Sequence, residues 1–206
     1  MSGGNATGQY AVAAGNSQAS GSYTFAAGES TASGAGSIAM GRTALASGIN
    51  TFALGQLVHA YQTNQFAFSN RWIRSFGDCQ MSMFVLGAST TDAVPTEMST
   101  ALGAMYRIVV RASTTWAFEI TVVGRSSGGT DNAMYMYRGM IKRDAANNTT
   151  LVGAVDNYYT NETNAAWDVA VTADDTNEAL KVEVTGAAAT NINWAGKVIL
   201  TEIGRA

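Results

Sequence analysis

Hydrophobic positions in the first 70 residues recur at a long, near-constant interval rather than at the period of a helix. From Asn5 to Gly55 the chain reads NATGQYAVAAG, NSQASGSYTFAAG, ESTASGAGSIAMG and RTALASGINTFALG. Gly15, Gly28, Gly41 and Gly55 stand 13, 13 and 14 residues apart, and Gly8, Gly21, Gly34 and Gly48 fall midway between them. Each unit alternates an Ala-Ser-Gly half with a hydrophobic half: Val12-Ala13, Phe25-Ala26, Ile38-Ala39 and Phe52-Ala53. A helix would carry a glycine every six or seven residues, at about 1 kcal/mol each. The pattern predicts a solenoid with two short strands per coil, in which each coil covers the apolar face of the next. Glycine at both corners supplies positive φ, and small residues let the coils stack closely.

The expected interior is one Val, Ile or Phe per coil plus alanines. That is little apolar area against a backbone entropy of about 1 to 2 kcal/mol per ordered residue. Association into a trimer of side-by-side rolls is the expected remedy, with Phe25, Ile38, Phe52, Phe66 and Trp72 as its core. Gln56 to Ser69 keeps the beat at Phe66-Ala67 but replaces the corner glycines with Gln62 and Ser69, as a closing repeat would. Asn70 to Gln80 is read as a neck, where Trp72, Ile73 and Phe76 could wedge between protomers.

From Met81 the period changes to two. Expected strands are 81–87, 105–111, 116–124, 133–142, 151–156, 167–173, 179–185 and 191–203. Trp116, Phe118, Ile120 and Val122 share one face, as do Leu180, Val182 and Val184. Ser126 to Gly129, Ala145 to Thr149 and Asp174 to Asn177 read as turns. Strands at this spacing predict an antiparallel β-sandwich or jelly roll over residues 81–206. The fold class is therefore all-β: a parallel β-roll over 1–69, a neck over 70–80 and a sandwich head.

Charge sharpens the division, because only Glu29 and Arg42 are charged in the first 70 residues. The net charge is −3 with no basic cluster, which argues against nucleic acid or an anionic membrane as partner. Cys79 is the only cysteine, so an intrachain disulfide framework is excluded, and the residue is expected to be a small buried hydrophobe. No secretion signal and no run of 18 apolar residues is present, so no membrane insertion is expected.

Candidate chemistry is sparse. His59 is the only histidine and has no neighbouring acid or nucleophile in the sequence, so general acid–base work is not expected of it. Asp174 and Asp175 are adjacent and read as turn formers rather than a glycosidase pair, and the spacing of Asp156, Glu162 and Asp168 fixes no mutual geometry. No metal, no cofactor and no enzymatic activity are expected. Binding has better support. Asp156, Asn157, Tyr158, Tyr159 and Asn161, read as a loop joining two strands, combine an aromatic platform with planar hydrogen-bonding groups, which suits a sugar. Trp116, Trp167 and Trp194 are read as core.

The units from Asn5 to Ser69 resemble the head repeats of trimeric autotransporter adhesins of the YadA type, which also recur in phage tail fibres. That resemblance implies a left-handed parallel β-roll, stable as a trimer. From Gly77 on, Gly77-Asp78-Cys79-Gln80, Val85-Leu86, Thr90-Thr91-Asp92-Ala93 and Pro95-Thr96-Glu97 resemble a pattern common in phage tail-fibre and virion proteins, as do Trp116-Ala117-Phe118 and Ala173 to Asn177. The chain departs from it at Cys79, where alanine is usual, and at Glu178, where glycine is usual in the hairpin turn. Together the resemblances imply a trimeric tail fibre component of a virion, assembled in the cytoplasm of the bacterial host. It would contact other tail or virion proteins and bind bacterial surface polysaccharide without cleaving it. The alternatives are a purely structural fibre part and, less favoured, a bacterial trimeric adhesin head, since Thr201 to Ala206 carries no coiled-coil stalk or anchor.

Overall fold

A computed structural model describes residues 3–71, 73–102 and 105–204. All of its regular elements are strands. The chain divides into two compact units, Met1–Phe84 with Thr201–Ala206, and Val85–Leu200.

The first unit is a β-solenoid of about five coils. Its strands are β1 (Asn5–Ala6), β2 (Val12–Gly15), β3 (Gln18–Ala19), β4 (Phe25–Ala32), β5 (Ile38–Ala46), β6 (Phe52–Gln56), β7 (His59–Ala60) and β8 (Phe66–Ser69). They pair in parallel from coil to coil, in the register that the glycines imply: Val12, Phe25, Ile38, Phe52 and Phe66 are successive partners.

The side chains within that register run opposite to expectation. Alanine fills the coils: Ala26, Ala39, Ala53 and Ala67 form one fully buried column and Ala19, Ala32, Ala46 and Ala60 another. The larger residues of the alternation point outward, with Val12 52% and Phe52 41% exposed and Phe25, Ile38 and Phe66 half-buried. A coil two short strands across has room for one methyl group per position, so alternation places alanine inside and its bulky neighbours outside. A second outward column, Met40, Leu54 and Phe68, lies two residues along the same strands. Trp72, the remaining member of the expected trimer core, lies outside the described residues.

Hydroxyls complete the interior. Ser17 and Ser30 are buried, and each donates to carbonyls on its own and the next coil, Ser30 to Ala27 and Ala39 at 3.0 and 2.9 Å. From the third coil the repeat lengthens by one residue, through an irregularity between Glu29 and Thr31 against Arg42 and Leu45. The added residues, Thr43 and Leu57, adopt φ 58° and 57°, and Ala44 and Val58 then occupy the buried serine position.

Close stacking requires both glycine series: a Cβ at Gly41, Gly55 or Gly34 would lie 2.0, 1.8 or 1.9 Å from a carbonyl oxygen of the next coil. Gly28, Gly41 and Gly55 are required by conformation as well, with φ of 92°, 126° and 111°.

Strand β9 (Cys79–Thr90) closes the stack by running antiparallel to β8, Phe66 opposite Met83. Over β7 a side chain performs the same task. The Gln80 carboxamide accepts from the His59 amide at 3.0 Å and donates to the His59 carbonyl at 3.1 Å, as the peptide of a further coil would. Buried Gln65 fills the last interior position, accepting from the Tyr61 and Gln62 amides and donating to Ser82. Asp78 ties the preceding turn, accepting from the amides of Ile73, Arg74 and Ser75 at 3.1, 2.5 and 2.7 Å. Cys79 is half-buried rather than enclosed, lining a groove of about 400 Å³ beside Phe68, Arg71 and Met81.

The second unit is built from antiparallel sheets. After β9 come β10 (Thr96–Glu97), β11 (Ile108–Val109), β12 (Thr114–Ser126), β13 (Asn132–Arg143), β14 (Thr149–Leu151), β15 (Asp156–Glu162), β16 (Asp168–Asp174), β17 (Ala179–Thr185) and β18 (Ile192–Gly204). The larger sheet runs β9-β18-β12-β13-β14, with β15 also paired to β13. In the smaller sheet β17 is central, with β16 along one edge and β10 and β11 at opposite ends of the other. The faces expected to be buried are buried: Trp116, Phe118, Ile120 and Val122, and Leu180, Val182 and Val184. Trp167 and Trp194 are core as well, edge-on with ring centroids 5.3 Å apart.

The hairpin between β16 and β17 turns where expected. Asp174 caps it by accepting from the Thr176 and Asn177 amides, both at 3.0 Å. Glu178, the residue standing for glycine, has φ 56° and is held there by Arg143 at 3.2 Å and by the Thr149 hydroxyl.

Candidate functional site on strand β15

Residues 156–162, expected to be a loop, form a strand. Its sequence DNYYTNE shows no hydrophobic alternation, and it is exposed along nearly its whole length. What makes it a strand is the backbone of β13, to which it pairs antiparallel from Ala133 opposite Glu162 to Arg138 opposite Asp156.

That pairing sorts the candidate sugar-binding residues onto two faces. On β13 the side chains of Met134, Met136 and Arg138 point away from the core, and Tyr135 and Tyr137 point into it. Directly paired residues share a face. Asn161, Tyr159 and Asp156, opposite Met134, Met136 and Arg138, therefore lie on the outer face. Asn157 lies on the inner one, its amide donating to the Tyr137 hydroxyl at 3.3 Å.

A bulge decides the position of Tyr158. The register shifts between Met136 and Tyr137, leaving Tyr158 as the extra residue between Tyr159 and Asn157. Such a bulge re-aims a side chain that strict alternation would send to the opposite face. The Arg138 guanidinium sits over the Tyr158 ring at 5.3 Å while its Nη2 pairs with Asp156 at 2.9 Å. Tyr158 and Tyr159 are 43% and 42% exposed. The outer face thus brings together two accessible rings, a carboxylate–guanidinium pair and the Asn161 amide, which donates to the Tyr159 hydroxyl at 3.4 Å. Arg138 was not among the expected sugar-binding residues, because its place beside Asp156 depends on long-range pairing.

The inner face gathers polar groups of another kind. Tyr135 donates to the Glu162 carboxylate, and Tyr137 donates to the Val169 carbonyl at 2.7 Å. Burial first, and then the negative charges of Glu162 and Asp168, raise both phenols, Tyr137 to about 12. Glu162 and Asp168, whose relation the sequence left open, thus act on the same two tyrosines.

Elsewhere, the carboxylates of Asp174 and Asp175 serve structure, Asp175 accepting from the Thr149 amide at 2.5 Å. His59 does have a partner: its Nε2 is 2.9 Å from the Ser47 hydroxyl on the preceding coil, a neighbour that only the coil register supplies. Among the described residues no group of three metal-ligating side chains is found, and no helix is long and apolar enough to cross a membrane.

Residues 32–57 match two copies of the YadA head domain repeat. No curated protein matches the chain. Among solved structures it is similar to a tailspike protein, gp49 of the Acinetobacter baumannii bacteriophage Fri1, a capsular polysaccharide depolymerase. The identity is 8% and the TM-score 0.40, over 89% of this chain and 40% of that one. It is also similar to the tailspike protein of the Acinetobacter phage vB_ApiP_P1, at 9% identity and TM-score 0.28, over 92% of this chain and 47% of that one. The chain spans less than half the length of either. The first of these similarities corrects one expectation: a depolymerase is an enzyme, and the expectation that this protein is not one is withdrawn.

Proposed function

We propose that the protein is a host-attachment component of a phage tail fibre or tailspike, in which trimeric solenoids form a shaft and the second unit, a β-sandwich, presents strand β15 to bacterial surface glycan. The observation that carries this reading is the outward turn of the solenoid's apolar columns. Phe25, Ile38, Phe52 and Phe66, with Met40, Leu54 and Phe68 beside them, make an uncharged face that water does not favour and that copies of the chain would cover. The match to the YadA head domain repeat supports the same arrangement. On β15, a sugar ring would stack on Tyr158 or Tyr159 while Asp156, Arg138 and Asn161 address its hydroxyls.

Tyr158→Ala with Tyr159→Ala should remove binding to host cells and to their extracted polysaccharide while leaving the mass of the assembly and its melting temperature unchanged. Three copies turn a modest loss per site into a large one per particle. Full binding by the double variant would refute the β15 site. The same assay should follow release of reducing ends, so that cleavage of the bound glycan is scored beside binding.

A further inference from the structure

One corner of the solenoid is occupied throughout by residues in the left-handed region: Tyr10, Tyr23, Gly36, Asn50 and Asn64, with φ of 57°, 58°, 67°, 53° and 60°. They are one coil apart, and each amide donates to the coil before it, Tyr23 to Gln9, Gly36 to Ser22 and Asn50 to Ala35, all at 2.8 Å. Glycine and asparagine are the residues that enter this conformation at little cost, and the last three coils use them. Tyrosine is not such a residue, yet the first two coils both place one there.

Burial does not explain the choice, because Tyr10 and Tyr23 are 70% and 64% exposed. The two rings stack with centroids 5.1 Å apart and planes 24° apart. In an offset stack part of each ring face stays uncovered. Strain accepted twice at exposed positions, where two cheaper residues are in use on the same corner, is the kind of outlier from which function is inferred. Past the gap at Gly36, the corner continues with the carboxamide of Asn50, whose oxygen leans toward that glycine. The whole corner carries no charge.

We infer that the Tyr10–Tyr23 ladder and the Asn50 carboxamide form a second saccharide subsite, taking uncharged pyranose units of an extended polysaccharide laid along the solenoid axis. The rings meet the apolar faces of the sugars, and the amide meets their hydroxyls. The backbone ladder fixes the spacing of the subsite before the ligand arrives. This inference rests on the attachment reading above but uses residues of the other unit.

The test is binding of the full chain to immobilised bacterial capsular polysaccharides and lipopolysaccharide O-chains by interferometry, comparing the parent with Tyr10→Asn/Tyr23→Asn. Asparagine suits the corner, so the double variant should melt at or above the parent temperature while its affinity falls about ten-fold or more. Parent-like affinity would overturn the subsite and leave attachment through β15 standing. Failure of the parent to bind any of these polysaccharides would overturn both. Should the double variant melt lower than the parent, the single Tyr10→Asn carries the test: reduced affinity supports the subsite and full affinity refutes it.

Discussion

The two units solve the problem of a core in opposite ways. In the second unit the large side chains are inside: Trp116, Phe118, Tyr135, Ile120 and Ile141 are all essentially buried. In the solenoid the interior is mostly alanine, serine and threonine, with Val58 and Gln65 near its closing end, and the phenylalanines lie on the outward side of the strands. A sheet that packs on another sheet leaves a layer about 10 Å deep to be filled by long side chains. A coil closed on itself by two short strands leaves far less. The lesson is that alternation alone does not say which set of positions is internal; the width of the space does. The second unit encloses its large apolar side chains, whereas the solenoid leaves Val12, Met40, Phe52 and Phe68 exposed.

The contrast is most sharply broken by overfilling. Ala39→Phe places a ring in a column that admits a methyl group and should abolish the solenoid fold. Ile120→Val in the second unit should cost only about 0.5 to 1.5 kcal/mol. Thermal melts followed by circular dichroism would read both, and a parent-like melt for Ala39→Phe would refute the alanine interior.

A single methyl group at the coil contact tests the same tightness. Gly34→Ala should lower the melting temperature strongly, because its Cβ falls on the Gly48 carbonyl, whereas Gly128→Ala in the second unit meets nothing within 4 Å and should be neutral. Equal effects of the two would contradict the close stacking of coils.

Opposite pH limits are the third expectation. Burial opposes the charge of Asp78, but the amides of Ser75, Ile73 and Arg74 outweigh it and hold the carboxyl below its ordinary 3.8. Its contribution is therefore complete above that value and is lost as pH falls through the lowered one. Tyr137, raised by burial and then by Asp168 and Glu162, contributes fully below its ordinary 10.0, and loses that contribution as pH climbs toward about 12. Hydrogen exchange should show the solenoid end loosening first in acid and the β13 region first in alkali. The reverse order would contradict the assignment of these groups.

The smallest effect is a gain. Thr43, a β-branched residue at φ 58°, is the residue that lengthens the third coil. Thr43→Gly should relieve the strain and stabilise the solenoid by about 1 kcal/mol or less, read as a small rise in melting temperature. A fall would show that its side chain is needed.

Much of this fold was legible in the sequence. The spacing of Gly15, Gly28, Gly41 and Gly55 carries the coil register, and alternation at Trp116 to Val122 and Leu180 to Val184 carries the buried faces of the second unit. What was not legible has physical reasons. Phe25 and Ala26 alternate equally well in either orientation, and only the closed coil selects alanine. Strand β15 is polar on both faces, so no hydrophobic period betrays it, and its bulge at Tyr158 exists only against β13. The Tyr10–Tyr23 ladder does carry a signal, since both stand one repeat apart in a column otherwise filled by Gly36, Asn50 and Asn64. That signal is read only once the column is known to be left-handed.

The central claim is that the solenoid turns its large apolar residues outward and is completed by other copies of itself. Light scattering of the purified full chain with size separation tests it most directly. The parent should run at three times the chain mass, and Phe52→Asp, which places charge on the outward column, should fail to assemble. A parent that runs at the mass of one chain while still folded by circular dichroism, or a Phe52→Asp variant that assembles and melts like the parent, would contradict it.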